Sequence, residues 1–248
     1  MRLLSIDQGN TRTKLGLFAE GALQRTWSFP TAKRASAAEL AQAVGIADLP
    51  PRIHIGLCSV VPALRPAWEA LAAHIDSPLT VITGASPTPL RNAYTTPESL
   101  GPDRLMAAVA AARVALPVMP LCLGTASVVD AVSAEGVYLG GMIAPGIGLV
   151  ASALSASASA LYPVPWGQPA CAIGRSTDAA LTSGQFYQAL GGLQAMLHAV
   201  RAELGPAPLV LTGGWAAQIA PYLDEVALCD ESLILRGIAF TLAELRDP

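Results

Sequence analysis

Short apolar runs, closed one after another by turn-forming clusters, set the reading of this chain. Leu3-Leu4-Ser5-Ile6 ends at Asp7-Gln8-Gly9-Asn10, a strand stopped by a turn. Lys14 to Phe18 reads as a second strand, and Ala19-Glu20-Gly21 folds it back into Ala22 to Ser28 as a hairpin. Ser36-Ala37-Ala38-Glu39 is a capping box that opens a helix, and Gly45 ends it. Ile53 to Val60 is a buried strand, Ala63 to His74 a helix and Leu79 to Thr83 a strand. Pro102 suits the first turn of a helix running to about Val114. A strand, a hairpin and then alternating helices and strands make an α/β pattern.

The same opening returns further on. Val118 to Leu123 is apolar and closes at Gly124-Thr125-Ala126; Ser127 to Val132 and Val137 to Ile143 flank Ala134-Glu135-Gly136. The two Ala-Glu-Gly turns lie 115 residues apart in matching strand–turn–hairpin settings, which argues for two related halves. Helices are expected over Gly148 to Leu161, Thr177 to Leu204 and Leu233 to Leu245, with strands over Leu209 to Thr212 and Glu225 to Leu228. The expected domains are residues 1–116 and 117–248, meeting near Leu116-Pro117 without a low-complexity linker.

Composition narrows the function. Of 248 residues, 52% are hydrophobic and only 13% charged, a balance that excludes disorder. A net charge of −3 with no basic block excludes a nucleic-acid backbone binder. The mean hydropathy of +0.47 comes partly from two uncharged stretches, Gly136 to Gly174 and Gly205 to Leu223. Glycine and proline interrupt both, and no Lys/Arg clusters flank them, so the expectation is an apolar core and no membrane partner. Leu3 to Ile6 is far too short for a signal peptide. Cys58, Cys122, Cys171 and Cys229 are widely scattered, as are His54, His74 and His198. That spacing gives no structural zinc motif and reads as reduced thiols in the cytoplasm.

Three turns carry candidate chemistry. In Asp7-Gln8-Gly9-Asn10-Thr11, Gly9 permits a tight turn whose N–H groups can face a phosphate, and Asp7 offers a carboxylate suited to Mg²⁺. Gly124-Thr125-Ala126 occupies the matching place in the second half. Thr212-Gly213-Gly214-Trp215 ends a strand on a glycine pair, where a nucleotide can approach the backbone. Asp103 stands at a helix start beside Arg104; both features are expected to keep it ionised, and Arg104 could grip a substrate carboxylate.

This layout is similar to that of the actin, sugar-kinase and Hsp70 superfamily, and within it the chain resembles the type III pantothenate kinases. The matching stretches run nearly end to end. They are Asp7 to Thr11, Cys58-Ser59-Val60-Val61-Pro62, Asn92-Ala93-Tyr94 with Leu100 to Arg104, Gly124 to Ala126 with Asp130, Gly140 to Gly146, Ile173 to Thr177, and Leu211 to Ala216. The resemblance implies an α/β fold of two duplicated ribonuclease H-like lobes, with mixed sheets flanked by helices. It implies ATP-dependent phosphorylation of pantothenate at its 4′-hydroxyl, the first step of coenzyme A synthesis. Asp7, Gln8, Gly9, Asn10, Thr11, Arg12, Thr13, Lys14 and Thr125 would bind ATP, with Mg²⁺ near Asp7. Tyr94, Gly101, Pro102, Asp103, Arg104 and Thr177 would bind pantothenate, and Asp103 would take the proton. It implies a homodimer with pantothenate as its partner molecule and no nucleic acid.

The chain also departs from the family pattern. A monovalent cation, K⁺ or NH₄⁺, is implied next to position 122, where the family carries Asp and this chain Cys122; a thiol is a poor ligand for a hard alkali ion. Val128 replaces a hydroxyl residue, Val150 to Leu161 lacks the usual basic pattern, and Arg175-Ser176 replaces Lys-Asn. Cys122 is the residue that invites a second reading, a catalytically impaired relative acting as a transcriptional accessory factor.

Overall fold

The computed structural model of the chain describes residues 2–245, which form two compact units. The first runs to Arg113 and takes in Gly136–Leu139 and the described residues from Ser232 on; the second holds Val114–Glu135 and Gly140–Glu231. Among the described residues no helix is long and apolar enough to cross a membrane.

The first unit is built on a five-stranded sheet. Its strands are β1 (Arg2–Gln8), β2 (Arg12–Ala19), β3 (Ala22–Pro30), β4 (His54–Ser59) and β5 (Leu79–Ile82), in the order β3-β2-β1-β4-β5. The β1-β2-β3 hairpins are antiparallel, whereas β4 and β5 join in parallel. The capping box forms as expected. Ser36 Oγ accepts from the Glu39 N–H and the Glu39 carboxylate accepts from the Ser36 N–H, opening α1 (Ala37–Val44). Leu40 and Val44 of α1, with Trp68 and Leu71 of α2 (Arg65–His74), bury the Leu4 and Ile6 face of β1.

Alternation along the strands puts Leu3, Ser5 and Asp7 on the other face. There Ser5 is in register with Gly16 of β2 and Gly56 of β4, a row of small residues across three strands. Ile238 and Leu242 lie so close to Gly56 that an added Cβ would sit 2.6 and 2.5 Å from their side chains. Both side chains belong to the C-terminal helix, α7 (Leu233–Glu244). That helix was read with the second half of the chain, yet it packs in the first unit. Burying Leu233, Leu235, Ile238 and Leu242 here contributes about 1.5–3 kcal/mol for each side chain. On α7 lies α3 (Pro102–Ala111), and the crossing is tight: a Cβ on Gly237 would stand 1.9 Å from the Met106 carbonyl oxygen.

Two residues form an unforeseen strand, β6 (Arg91–Asn92), which pairs in parallel with Val137 and Tyr138. The remaining strands are β7 (Met119–Leu123), β8 (Ala126–Val132), β9 (Val137–Pro145), β10 (Leu209–Thr212) and β11 (Val226–Cys229). The second sheet runs β11-β10-β7-β8-β9-β6. Without β6, β9-β8-β7-β10-β11 repeats the order β3-β2-β1-β4-β5 of the first sheet, so the duplication expected from the two Ala-Glu-Gly turns is present in the topology. In the second unit, α4 (Ile147–Ser157) precedes the long α5 (Thr177–Leu204), and a short α6 (Ala216–Ile219) follows β10. Phe186, Leu190, Leu193, Leu197 and Val200 form the buried stripe of α5 against Met119, Leu121, Val129 and Leu211. Their spacing of three and four is the helical period, which fixes which side of α5 faces the sheet.

Candidate active site

One register step beyond the Ser5 row, the same strand face carries Lys14, Asp7 and Cys58 side by side on β2, β1 and β4. Asp7 is half-buried and Cys58 fully buried. Burial, the nearby Asp103 carboxylate and, in the opposite sense, Lys14 set the Asp7 carboxyl, which is pushed up to about 7. Burial, Asp7 and Asp103 together hold the Cys58 thiol well above its ordinary range, so it stays protonated. Asp103 is brought here because α3 lies across α7, which lies across the sheet.

Asp103 is the second residue of α3. Its Oδ1 accepts from the Arg104 N–H at 2.9 Å. The helix start and Arg104 were expected to hold Asp103 ionised, and both the backbone bond and the Arg104 charge do act downward. Burial outweighs them, and the net shift is upward. The reason is that Asp103 is half-buried by its neighbours, which a helix-start position in sequence does not reveal. A raised carboxylate is the stronger base.

Arg104 is 7% exposed and its guanidinium lies 5.6 Å from the Tyr94 ring centre, with Nη1 donating to the Tyr94 hydroxyl at a long 3.5 Å. Tyr94 is held by Asn92, whose Oδ1 accepts from the Tyr94 N–H at 2.9 Å while its Nδ2 donates to the Gly84 carbonyl at 3.0 Å. The Tyr94 ring packs at 6.2 Å from that of Tyr138, which is fully buried. Asp7, Lys14, Tyr94, Asp103 and Arg104 are therefore all held in the first unit.

In the Asp7–Thr11 turn, the Gly9 N–H donates to the Arg12 carbonyl at 3.1 Å, so that amide is spent on the turn itself. Gln8 and Thr13 are register partners on the sheet face opposite Asp7, both buried. Gln8 Oε1 accepts from Ser59 Oγ at 2.8 Å, and Thr13 and Thr31 share a hydroxyl bond at 2.9 Å. The exposed Arg12 donates to Ser28 Oγ at 2.7 Å.

In the second unit, three turns converge at one end of its sheet. The Gly146 N–H donates to the Thr125 carbonyl at 3.0 Å, and the Trp215 N–H to the Leu123 carbonyl at 3.2 Å. Gly213, at φ +102°, lies so near β7 that a Cβ would meet the Leu123 carbonyl oxygen at 2.3 Å. Cys122 has Val128 and Thr212 as register neighbours. Asp130, fully buried, stands two residues beyond Val128 on that face. Thr177 opens α5, but Ser176 caps it, accepting from the Ala179 N–H at 3.2 Å. The exposed Thr177 lines a cavity of about 380 Å³ between α4 and α5.

Comparison with known proteins decides the family. The type III pantothenate kinase family model matches residues 3–199. The chain belongs to this family. A type III pantothenate kinase from Thermomicrobium roseum is 35% identical over 95% of this chain and 95% of its own. One from a Parafrankia species is 34% identical over 99% of both. Among solved structures, a protein from Campylobacter jejuni described as a conserved Baf family transcriptional activator overlays 99% of this chain and 100% of its own. Its TM-score is 0.67 at 19% identity. An inorganic polyphosphate/ATP-glucomannokinase from an Arthrobacter species covers 98% of this chain and 99% of its own, with a TM-score of 0.55 at 16% identity. These overlays establish the actin-like kinase fold. The chain is an enzyme of the pantothenate kinase family, and the accessory-factor reading is not favoured by the family match.

Sequence reasoning about this pantothenate kinase family member missed Cys58 as a wall of the site and Asn92 as the brace of Tyr94. Both lie in motifs that were noted. What placed Cys58 beside Asp7 is a parallel register between strands some fifty residues apart, and no local pattern carries that.

Proposed function

We propose that this chain transfers the γ-phosphoryl group of ATP to the 4′-hydroxyl of pantothenate at the site around Asp7 and Asp103. The observation that carries the reading is the half-buried Asp103 carboxylate at the start of α3, within electrostatic reach of Asp7 and next in the chain to Arg104, whose guanidinium lies over the Tyr94 ring. In this reaction the acceptor oxygen bonds to the γ-phosphorus, the bond to the β–γ bridging oxygen breaks, and the hydroxyl proton passes to Asp103. Arg104 takes the pantothenate carboxylate, and the Tyr94 ring walls the substrate. Thr177 and Thr125 carry over from the family resemblance as contacts to pantothenate and to ATP. Lys14 attracts the phosphates. Asn10, Thr11 and Arg12 belong to the same turn, and Gln8 and Thr13 act there through their main chain, since their side chains face the other way.

Mg²⁺ bound to nucleotide offsets charge that develops in transfer. The chain fits it: Mg²⁺ usually takes one or two carboxylates together with substrate phosphates, and Asp7 stands at the strand end for that. The monovalent cation does not fit. At the family's ligand position itself the strand neighbours offer a thiol, a valine and the buried Thr212 hydroxyl, and the carboxylate on that face, Asp130, is fully buried two residues further along β8, so position 122 supplies no hard anionic donor. Turnover is therefore expected to be the same in sodium and in potassium salts. A several-fold activation by potassium over sodium would show that another group holds the ion.

Arg104→Gln is expected to raise the KM for pantothenate by about 10–100-fold, the loss of a charge-assisted pair, while leaving the KM for ATP near its original value. Equal changes in both would remove Arg104 from acceptor recognition.

The assembly proposed is a homodimer in the cytoplasm. Ile143, Leu149, Leu154 and Tyr187 expose apolar side chains on the second unit, which suits a contact between copies of the chain. Leu149→Asp is expected to yield monomers in sedimentation velocity, where the parent chain sediments as a dimer.

A further inference from the structure

Two turns of the first unit meet where α3 begins. One follows β5 and carries Gly84, which is buried; the other runs from Pro97 to Leu100 and leads into Gly101 and α3. A Cβ on Gly84 would stand 2.3 Å from the Leu100 carbonyl oxygen and 2.4 Å from that of Pro97. Gly84 is not among the positive-φ glycines, so its φ is open to other residues and it is space that requires glycine there.

Both sides of this contact are stiff. The Thr83 N–H donates to Ser86 Oγ at 2.9 Å and the Ser86 N–H to the Thr83 carbonyl at 3.2 Å, which closes the turn around Gly84. Opposite, the Leu100 N–H donates to the Pro97 carbonyl at 3.1 Å and the Ser99 N–H to the Thr96 carbonyl at 2.9 Å. The touching atoms are backbone and cannot swing aside as the end of a long side chain would.

Asn92 ties the Gly84 turn to Tyr94. Its Nδ2 donates to the Gly84 carbonyl at 3.0 Å while its Oδ1 accepts from the Tyr94 N–H at 2.9 Å. The reverse orientation would set oxygen against oxygen and N–H against N–H, so these two partners fix the amide. The Tyr94 ring meets the Arg104 guanidinium, and Arg104 follows Asp103 in the chain. A closed circuit thus runs from Tyr94 through Asn92 and Gly84 to Leu100, along the chain to Asp103 and Arg104, and back to Tyr94.

We propose that Gly84 and Asn92 are positioning residues for phosphoryl transfer. The contact of Gly84 with Pro97 and Leu100 sets where α3 presents Asp103, and Asn92 locks that setting to the Tyr94 wall. This rests on the reading of Asp103 as the group that takes the acceptor proton. A base works only within hydrogen-bond reach of the hydroxyl, about 2.6–3.2 Å. With a methyl group on Gly84, the Leu100 carbonyl must retreat by about 1 Å to reach ordinary contact, a displacement that costs ~10²-fold in rate when it misplaces reacting groups.

The test is a double-mutant cycle on the full chain with ATP, Mg²⁺ and pantothenate. Gly84→Ala is expected to lower kcat by about 10–100-fold while the KM for ATP stays at the parent value. Asn92→Asp keeps an oxygen for the Tyr94 N–H but sets its other oxygen against the Gly84 carbonyl, and it is expected to lower kcat in the same way. Added to Asp103→Asn, either substitution is expected to change kcat by less than about twofold, because the group it displaces no longer takes a proton. Loss of folded enzyme would instead lower kcat by the same factor with and without Asp103. Such equal losses would overturn the proposal, as would parent-level kcat in either folded variant. If Gly84→Ala does not fold, Asn92→Asp, which adds no bulk, decides alone. Parent-level kcat in Asp103→Asn by itself would remove the reading of Asp103 as the base, and this proposal with it.

Discussion

Asp103→Asn is expected to lower kcat by about 10²–10⁴-fold, the usual worth of a positioned general base, with the melting transition almost unchanged. The amide keeps the shape of the carboxylate and can still accept from the Arg104 N–H through its oxygen. What it loses is the ability to take a proton from the acceptor hydroxyl. Ground-state affinity for ATP should survive, because in the proposed site Lys14 and the Asp7–Thr11 turn, not Asp103, attract the phosphates. Removing the charge from this half-buried carboxylate also relieves Asp7, whose own carboxyl is raised partly by Asp103. The fold therefore has no reason to weaken. Steady-state kinetics beside a thermal melt checks this. A variant with parent-level kcat would exclude Asp103 as the base, and one that fails to fold would mean that the carboxylate is structural.

Gly237→Ala is expected to carry a large stability effect for a single added methyl group. Within a helix, alanine is preferred to glycine by ~1 kcal/mol, so propensity alone predicts a gain. Here the added Cβ would meet the Met106 carbonyl oxygen at 1.9 Å and its carbon at 2.7 Å. Both belong to the backbone of α3, which cannot swing aside as a flexible side chain would. The helices must separate, and overpacking of this kind costs about 1–3 kcal/mol. A net loss is expected in urea denaturation. Gly191→Ala in α5, where nothing lies within 4 Å of the new atom, is the matching control and should gain ~0.5–1 kcal/mol. Because α3 begins with Pro102 and Asp103, its displacement should also lower kcat for Gly237→Ala and leave the control unaffected. Equal stability of the two variants would mean that α3 and α7 do not cross as closely as described.

The same crossing marks what the sequence shows of this fold. Local elements are well announced: Thr177 to Leu204 and Leu209 to Thr212 match α5 and β10 to the residue, and the Ser36 capping box forms with both of its bonds. These signals are local, resting on caps, periodicity and turn residues within a few positions. The attachment of α7 to the first sheet is not local. It depends on a row of small residues, Gly16, Ser5 and Gly56, that becomes a row only once three strands are in register. The two-residue β6 has no period to detect, and it matters because it brings Asn92, and through it Tyr94, into place. The candidate site was legible as a set of motifs, and its chemistry less so. Asp103 was read from its helix start as held ionised by Arg104, whereas burial dominates and raises it. Burial is a property of the packed chain that a helix-start motif does not contain.

The most direct test of the account follows the phosphorus itself. The purified chain, given ATP, Mg²⁺ and pantothenate in a sodium buffer, is expected to produce a single phosphomonoester resonance by ³¹P NMR, coupled to the protons of the primary alcohol carbon of pantothenate. Release of free phosphate without that ester, or an ester formed on a different small alcohol but never on pantothenate, would contradict it.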